Sequence, residues 1–162
     1  MKTLLLMRHA KSSWDNTRLS DYERPLNERG RRDAPRMGEL LRREGLTPDL
    51  IVASSAKRAA TTAELVALEL SLDSDIRYTE RLYLAEPDAY ITLARQLDDG
   101  IETLLMVGHN PGIQELVERL TGKEEMMSTA ALAHIRAPIR EWSRLAGKRQ
   151  YELVHVWRPK EL

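Results

Sequence analysis

The sequence predicts an α/β domain, because short apolar runs alternate with amphipathic segments along its 162 residues. Three of the apolar runs, at residues 2–7, 49–54 and 103–108, have the length and composition of buried strands. This alternation is typical of a mainly parallel sheet with right-handed crossovers. We therefore expect one domain over residues 1–162, a three-layer αβα sandwich whose mostly parallel central sheet includes one antiparallel strand.

The first helix is predicted over residues 27–44, after the strand at 2–7. Asn27 is a suitable N-cap, and Gly45 can end the helix. Apolar residues recur at helical spacing along this segment and predict its buried face, which consists of Ala34, Met37, Leu40 and Leu41.

The remaining elements are predicted from the same signals. Pro87 and the Asn110-Pro111 pair lie where helices begin, and Gly122 lies where one ends. Helices are expected at 57–70, from Pro87 to 97 and from Asn110-Pro111 to Gly122, and further strands at 131–137 and 151–157.

The composition excludes several classes of function. Hydrophobic residues make up 42% and charged residues 31%, as in an ordinary globular protein. Lys plus Arg and Asp plus Glu number 25 each, so the formal net charge is zero, which argues against a nucleic-acid-binding protein. There is no cysteine, so disulfides, thiolate catalysis and cysteine-ligated zinc are excluded.

Membrane insertion and secretion are not expected. No apolar run approaches the roughly 18–20 residues of a membrane span. The apolar stretch at residues 3–7 is too short for a signal peptide. We expect a cytoplasmic protein with no membrane partner, and a monomer, because no segment is apolar beyond what one core would use.

Charged side chains follow three of the predicted strands at the point where each strand ends. Arg8-His9 follows the first strand, a segment ending in Arg58 follows the second, and Gly108-His109-Asn110 follows the third. Because the carboxyl ends of parallel strands share one edge of a sheet, two arginines and two histidines should converge there beside helix N-termini. Guanidinium groups bind phosphate oxygens in bidentate fashion. The pattern therefore predicts an anion site suited to a phosphoryl group.

Histidine in such a site indicates catalysis as well as binding. Neighbouring arginines depress the pKa of an imidazole, and a neutral imidazole is a nucleophile toward phosphorus. Its attack gives a phosphohistidine that water then hydrolyses, while a second, protonated histidine can stabilise charge on the phosphoryl oxygens. We expect no metal and no other cofactor, because guanidinium and imidazolium groups supply the positive field.

Three motifs, "LMRHAKS", "SSAKRAATTAE" and "LLMVGHNPG", together resemble the histidine phosphatase superfamily of phosphoglycerate mutase-like proteins. Among its branches the chain resembles the short phosphohistidine phosphatases of the SixA type, with further similarity in "ERPLNERGRRDAPRMG", "ERLYLAEPDAY" and "VHVWRPKEL". The resemblance covers nearly the whole chain in matching order. Ala10 stands where the family's first motif has glycine, and Ser55 stands where a proline often follows the serine.

The resemblance implies the phosphoglycerate mutase-like fold and roles for individual residues. His9 is implied as the nucleophile and His109 as a second histidine that contacts phosphate. Arg8 and Arg58 are implied as phosphate clamps. The resemblance also implies that phosphate or a phosphorylated protein or small molecule is bound, with contacts from Ser12, Asp15, Gly108 and Asn110.

The position of a proton donor bears on the substrate. Alignment with the mutases of the superfamily puts Leu84 near their glutamate, with Glu80 and Glu86 on either side. An alkoxide is a poor leaving group without such an acid, whereas imidazole, with a pKa of about 6.5, leaves readily once its ring is protonated. We therefore predict a protein phosphohistidine as the preferred substrate.

Other functions stay open. A small-molecule phosphatase acting on a sugar or another phosphomonoester is the alternative enzyme, and a catalytically idle phosphate-binding module is the alternative of a different class. A mutase is less favoured, because 162 residues leave little room for the lid insertions of larger mutases.

Several further residues have ordinary structural interpretations. Trp14 is either a pocket wall or part of the core, and His134 and His155 are predicted to be packing or edge residues. Basic residues of the first helix are predicted to form i, i+3 and i, i+4 pairs on a solvated face, with recruitment of an acidic protein as the alternative; they are Arg29, Arg31, Arg32, Arg36, Arg42 and Arg43.

Overall fold

The computed structural model describes residues 1–72, 76–148 and 150–162, and its strands form one mixed sheet. The described strands are β1 (Lys2–Arg8), β2 (Leu50–Ser54), β3 (Ile76–Thr79), β4 (Thr103–Gly108), β5 (Leu132–Ala137) and β6 (Glu152–Trp157). The described α-helices are α1 (Glu28–Arg43), α2 (Lys57–Glu69), α3 (Pro87–Arg95) and α4 (Gly112–Thr121), and short 3₁₀ helices lie at Asp21–Glu23, Glu80–Leu82, Trp142–Arg144 and Pro159–Glu161. None of these helices is both long enough and apolar enough to cross a membrane.

The strands follow one another across the sheet in the order β3-β2-β4-β1-β5-β6. The first four in this order are mutually parallel. β5 is antiparallel to both of its neighbours, β1 and β6. Among the described strands β5 alone runs against the others, so the prediction of a mostly parallel sheet with one antiparallel strand is confirmed.

Helices cover both faces of the sheet. Successive residues of β1 point to opposite faces: Leu5 and Met7 pack with the apolar sides of α1 and α2, whereas Leu4 and Leu6 pack with α3 and α4. All four of these side chains are buried, and each contributes about 1.5–3 kcal/mol by leaving water. Two apolar layers thus fix the central strands between the helices.

The register of β1 and β4 positions the ends of both strands. Arg8 lies opposite Gly108, so His9 and His109 leave the sheet side by side. The backbone N–H of His9 donates to the Gly108 carbonyl at 2.9 Å, which extends the pairing past the last residue of β1. The fold therefore brings the two histidines together.

The edge strand β3 has no counterpart among the predicted elements. It is only four residues long, and its central residues Arg77 and Tyr78 are exposed, so the apolar run that marks the other strands is absent. β3 is parallel to β2. Its formation depends on that neighbour rather than on a strand signal of its own.

Gly30 of α1 packs against the loop that follows β1. A Cβ atom here would lie 2.2 Å from the Lys11 carbonyl oxygen. We expect Gly30→Ala to lower the free energy of unfolding by about 1–3 kcal/mol, the usual effect of overpacking, as measured by urea denaturation. Gly100→Ala is the control, because its new Cβ would lie 3.6 Å from the nearest atom, Asp98 Oδ1. Equal losses from both substitutions would contradict this account.

Candidate active site

A cavity of about 210 Å³ opens at the carboxyl ends of β1 and β4, and we call it the site cavity. Most of its lining is basic or polar, and two apolar side chains complete it. The lining residues are Arg8, His9, Lys11, Ser12, Trp14, Arg24, Arg58, Leu84, His109, Asn110 and Thr129. The structure thus brings together both predicted arginines and both predicted histidines.

The backbone around His9 is held on several sides. The N–H of Ala130 donates to the His9 carbonyl at 3.1 Å, and the N–H of Ala10 donates to Thr62 Oγ1 of α2 at 3.0 Å. The Thr62 hydroxyl in turn donates to the Arg58 carbonyl at 2.7 Å. This chain of hydrogen bonds fixes the first turn of α2, which carries Arg58, against the loop that carries His9.

The imidazole of His9 is fixed in one tautomer. Nδ1 lies 2.7 Å from the Ala10 carbonyl oxygen. Because a carbonyl only accepts, Nδ1 carries the proton and Nε2 keeps a free lone pair, toward which Arg58 Nε donates at 3.4 Å. Burial, and the positive charges nearby, lower the pKa of His9 to about 3. The ring is therefore neutral at pH 7, and its unprotonated nitrogen, Nε2, faces Arg58.

Asp21 holds Arg58 in place and was not predicted from the sequence. The two terminal nitrogens of Arg58 donate to the Asp21 carbonyl at 2.6 Å and to Asp21 Oδ2 at 3.0 Å. Tyr83 donates its hydroxyl to the same Oδ2 at 2.5 Å. Burial raises the pKa of Asp21, but the hydrogen bonds from Tyr83 and Arg58 outweigh it and lower the pKa to about 2. The carboxylate stays ionised and orients the buried guanidinium.

Two buried nitrogen atoms in the site have no hydrogen-bond partner among the described residues. They are Arg8 Nε and His109 Nδ1. An unsatisfied buried donor costs about 1–3 kcal/mol, and an anion bound in the cavity would offer such a donor an acceptor. The other end of Arg8 is anchored, because one terminal nitrogen donates to the Met127 carbonyl at 3.2 Å. These two nitrogen atoms therefore suit a ligand that accepts hydrogen bonds.

His109 lies beside His9, with 5.1 Å between the ring centroids. Its Nε2 is 2.8 Å from Ser54 Oγ. Burial, followed by the charge of Arg58, lowers the pKa of His109 to about 4. In the absence of an anion His109 is therefore neutral at pH 7, in contrast to the protonated second histidine expected from the sequence. A phosphoryl dianion would raise this pKa, since an opposite charge favours the charged imidazole.

Arg24 is a third arginine of the site that the sequence did not single out. One terminal nitrogen donates to Ser12 Oγ at 2.8 Å, and Nε donates to Asp21 Oδ1 at 3.1 Å. Its guanidinium lies over the Trp14 ring, 3.4 Å from the centroid. Trp14 is 69% exposed, so it is a wall of the site cavity rather than part of the core. The stacking holds this exposed ring at the mouth of the cavity.

The residues predicted as substrate contacts lie in different places. Ser12 and Asn110 line the site cavity, and Asn110 Nδ2 donates to the Met127 carbonyl at 2.9 Å. Asp15 is exposed and lines a neighbouring cavity. A Cβ on Gly108 would lie 1.9 Å from the Tyr90 hydroxyl, which accepts from the His109 N–H at 3.2 Å. Gly108 thus provides space for Tyr90, a structural role.

No carboxylate is among the described residues that line the site cavity. Leu84 is in the lining instead, 56% exposed and with a φ of 49°. A left-handed leucine is strained, and such strain is concentrated at functional sites. Within the described parts of the chain, no group of three or more histidine, aspartate or glutamate side chains is placed to hold a metal ion.

Comparison with known proteins identifies relatives over most of the chain. A model of the histidine phosphatase superfamily (branch 1) matches residues 4–85, about half of the chain. A Mycobacterium leprae protein is 37% identical over 119 residues, which cover 72% of this chain and 71% of the relative. A 2,3-bisphosphoglycerate-dependent phosphoglycerate mutase of Streptomyces avermitilis is 46% identical over 68 residues, 41% of this chain and 26% of the mutase.

A solved structure matches the whole fold. The Agrobacterium tumefaciens protein assigned as the phosphohistidine phosphatase SixA has a TM-score of 0.82 and 26% sequence identity, covering 98% of both chains. The predicted resemblance to SixA-type members of the superfamily and the predicted phosphoglycerate mutase-like fold are both confirmed.

The two buried histidines should make folding stability depend on pH. The pKa values of His9 and His109, about 3 and about 4, lie below the value of about 6.5 in an unfolded chain. As the pH falls, the unfolded state therefore binds protons that the folded state does not, and stability decreases. Between about pH 7 and about pH 5, we expect each histidine to remove about 1–2 kcal/mol from the free energy of unfolding.

Urea denaturation of the wild type and of His9→Gln at both pH values measures this effect. Glutamine does not titrate, so the variant should lose less stability than the wild type on acidification. An identical loss in both proteins would contradict the assignment of a low pKa to His9.

Proposed function

This chain belongs to the histidine phosphatase superfamily (branch 1), and we propose that it hydrolyses a protein phosphohistidine through a covalent phosphoryl intermediate on His9. The observation that carries the proposal is the geometry of His9, whose Nε2 lone pair accepts from Arg58 Nε in a cavity of about 210 Å³ that Arg8 and His109 also line. No step requires a metal ion, because these guanidinium groups supply the positive charge.

In the proposed first step, His9 Nε2 attacks the phosphorus atom in line with the leaving nitrogen. The new P–N bond to His9 forms as the P–N bond of the substrate breaks, and the departing imidazole carries a proton taken from solvent. Arg8, Arg58 and His109 stabilise the charge on the equatorial oxygens. In the second step water attacks phosphorus, the P–N bond to His9 Nε2 breaks, and one proton of the water passes to solvent, which releases inorganic phosphate and restores neutral His9.

The lining of the site cavity favours a nitrogen leaving group over an alkoxide. An alkoxide needs a proton donor in the transition state, and the lining has Leu84 but no carboxylate among the described residues. An imidazole has a pKa of about 6.5, so the ring of a phosphohistidine can take a proton from solvent near neutral pH and then leave without such an acid. This difference supports a phosphohistidine as the preferred substrate.

A small-molecule phosphatase is the second candidate. The segment that this chain shares with the Streptomyces avermitilis mutase favours it, because a phosphoglycerate mutase acts on a small phosphate ester. A phosphate-binding module without turnover is the third candidate. The intact set of Arg8, His9, Arg58 and His109 around one cavity speaks against this last function.

The first test of the proposed function compares two substrates and two variants. A phosphohistidine peptide and glycerol phosphate are assayed by phosphate release with the wild type, His9→Ala and His155→Ala. We expect the wild type to favour the peptide by at least about 100-fold in kcat/KM, because general acid catalysis contributes about 10²–10⁴-fold to ester hydrolysis.

His9→Ala should lose activity on both substrates. His155 is an exposed residue of the edge strand β6, so His155→Ala should keep the wild-type rates. Turnover by His9→Ala would exclude the mechanism, and equal wild-type rates on the two substrates would exclude the proposed preference.

The second test installs a proton donor at the mouth of the site cavity. Leu84→Glu should raise kcat/KM for glycerol phosphate by about 10-fold or more, because a carboxylic acid can then protonate the departing oxygen. Leu84→Gln is the matched control, since it has the same size and cannot donate that proton. An equal gain from both variants would show that the loss of leucine, rather than the new acid, is responsible.

A further inference from the structure

A basic surface lies next to the site cavity, on α1 and the segment at Pro159 and Lys160. It borders two adjoining cavities of about 310 and about 570 Å³. Arg29 and Arg32 line both of them, Arg36 and Lys160 line the first, and Arg31 lines the second. All five side chains belong to exposed residues. These five residues are the basic surface.

Neighbouring carboxylates neutralise little of this charge. Asp33 pairs with Arg36 at 3.2 Å, as the helical spacing predicts. In the described portion of the chain, neither Arg31 nor Arg32 forms a salt bridge or a side-chain hydrogen bond. Among the described residues, Arg36 alone of the six arginines singled out on this helix has an intrahelical ion pair, so the prediction that such pairs account for these arginines is wrong for the other five.

The position of the arginines opposes the helix dipole. Arg29 and Arg31 lie in the first turn of α1, where the unpaired N–H groups and the dipole favour negative charge. A cation there is unfavourable by about 0.3–1 kcal/mol, so folding stability does not explain its presence. A negatively charged partner would offset this unfavourable interaction of the arginines with the helix dipole.

The basic surface is fixed relative to His9. Thr129 lines both the site cavity and the smaller of the two adjoining cavities, and its Oγ1 accepts from Arg29 at 3.4 Å. The N–H of Asn27, the cap of α1, donates to the Lys11 carbonyl at 3.0 Å. Because these contacts join α1 to the loop that carries His9, the surface and the site cavity form one continuous face.

We propose that the basic surface docks an acidic face of the protein whose phosphohistidine enters the site cavity. The proposal rests on the proposed function and deepens it by naming the recognition surface. A protein fits better than a small molecule, because the basic surface and the two cavities that it borders extend over α1, the loop after β1 and the segment at Pro159 and Lys160. A nucleic acid fits less well, because the net charge of the chain is zero.

The test uses two phosphohistidine peptides of equal length, with the histidine flanked by Asp and Glu in one and by Ser and Gln in the other. At low ionic strength the wild type should favour the acidic peptide by about 10-fold in kcat/KM, and salt should remove the preference. Arg32→Glu should lower kcat/KM for the acidic peptide by about fivefold or more and leave the neutral peptide unchanged.

Arg140→Glu is the matched control. Arg140 is exposed and follows β5. The last residue of β5, Ala137, is paired with Lys2 at the start of β1, whereas His9 follows the other end of β1. The control should keep the preference of the wild type. Equal wild-type rates on the two peptides, or the same loss in Arg32→Glu and Arg140→Glu, would overturn the proposal.

Binding of the unphosphorylated acidic peptide, measured by fluorescence anisotropy, separates this inference from the proposed function. Binding that is lost in Arg32→Glu, with no hydrolysis of either phosphopeptide, would retain the docking surface and reject the proposed function. Hydrolysis of both phosphopeptides at equal rates would retain the proposed function and reject the docking surface. A single-stranded oligonucleotide of equal charge is tested in the same way. If it binds more tightly than the acidic peptide and Arg32→Glu removes that binding, the partner is a nucleic acid rather than an acidic protein.

Discussion

The hydrogen bond from His9 Nδ1 to the Ala10 carbonyl holds the ring in one tautomer, with the lone pair on Nε2. Burial and the surrounding positive charges keep that lone pair free of a proton at neutral pH. Both conditions follow from the fold, since the backbone of His9 is paired with β4 on one side and with Ala130 on the other. In the proposed mechanism, burial and the arginines that would bind the phosphoryl group thus also keep His9 unprotonated.

Asp21 organises the positive groups around this ring. It accepts hydrogen bonds from Arg58, Arg24 and Tyr83, so one carboxylate fixes two guanidinium groups at once. Without it the two arginines would repel each other across the cavity. Because Arg24 also supports Trp14 and Ser12, the influence of Asp21 extends from the floor of the site cavity to its mouth. The leaving group of a substrate would meet this outer part, where Leu84 stands in place of an acid.

The central residues of the site could be predicted because parallel strands place their carboxyl ends together. Arg8 is the last residue of β1, His9 and His109 directly follow β1 and β4, and Arg58 lies in the first turn of α2. Asp21, Arg24 and Tyr83 could not be predicted in this way, because they come from loops whose positions depend on contacts distant in sequence. The same limitation applies to β3, which lacks an apolar run, and to Asp15, which lies close to Ser12 in sequence but lines a different cavity.

The central claim is that the phosphoryl group passes through His9 Nε2. Rapid acid-free quenching of the wild type during turnover of a phosphohistidine peptide, followed by mass spectrometry of the digested protein, tests it most directly. The account predicts a phosphoryl group on the peptide that contains His9, labile in acid and stable in base. A phosphoryl group on His109, or steady turnover with no modified histidine at the earliest times, would contradict it.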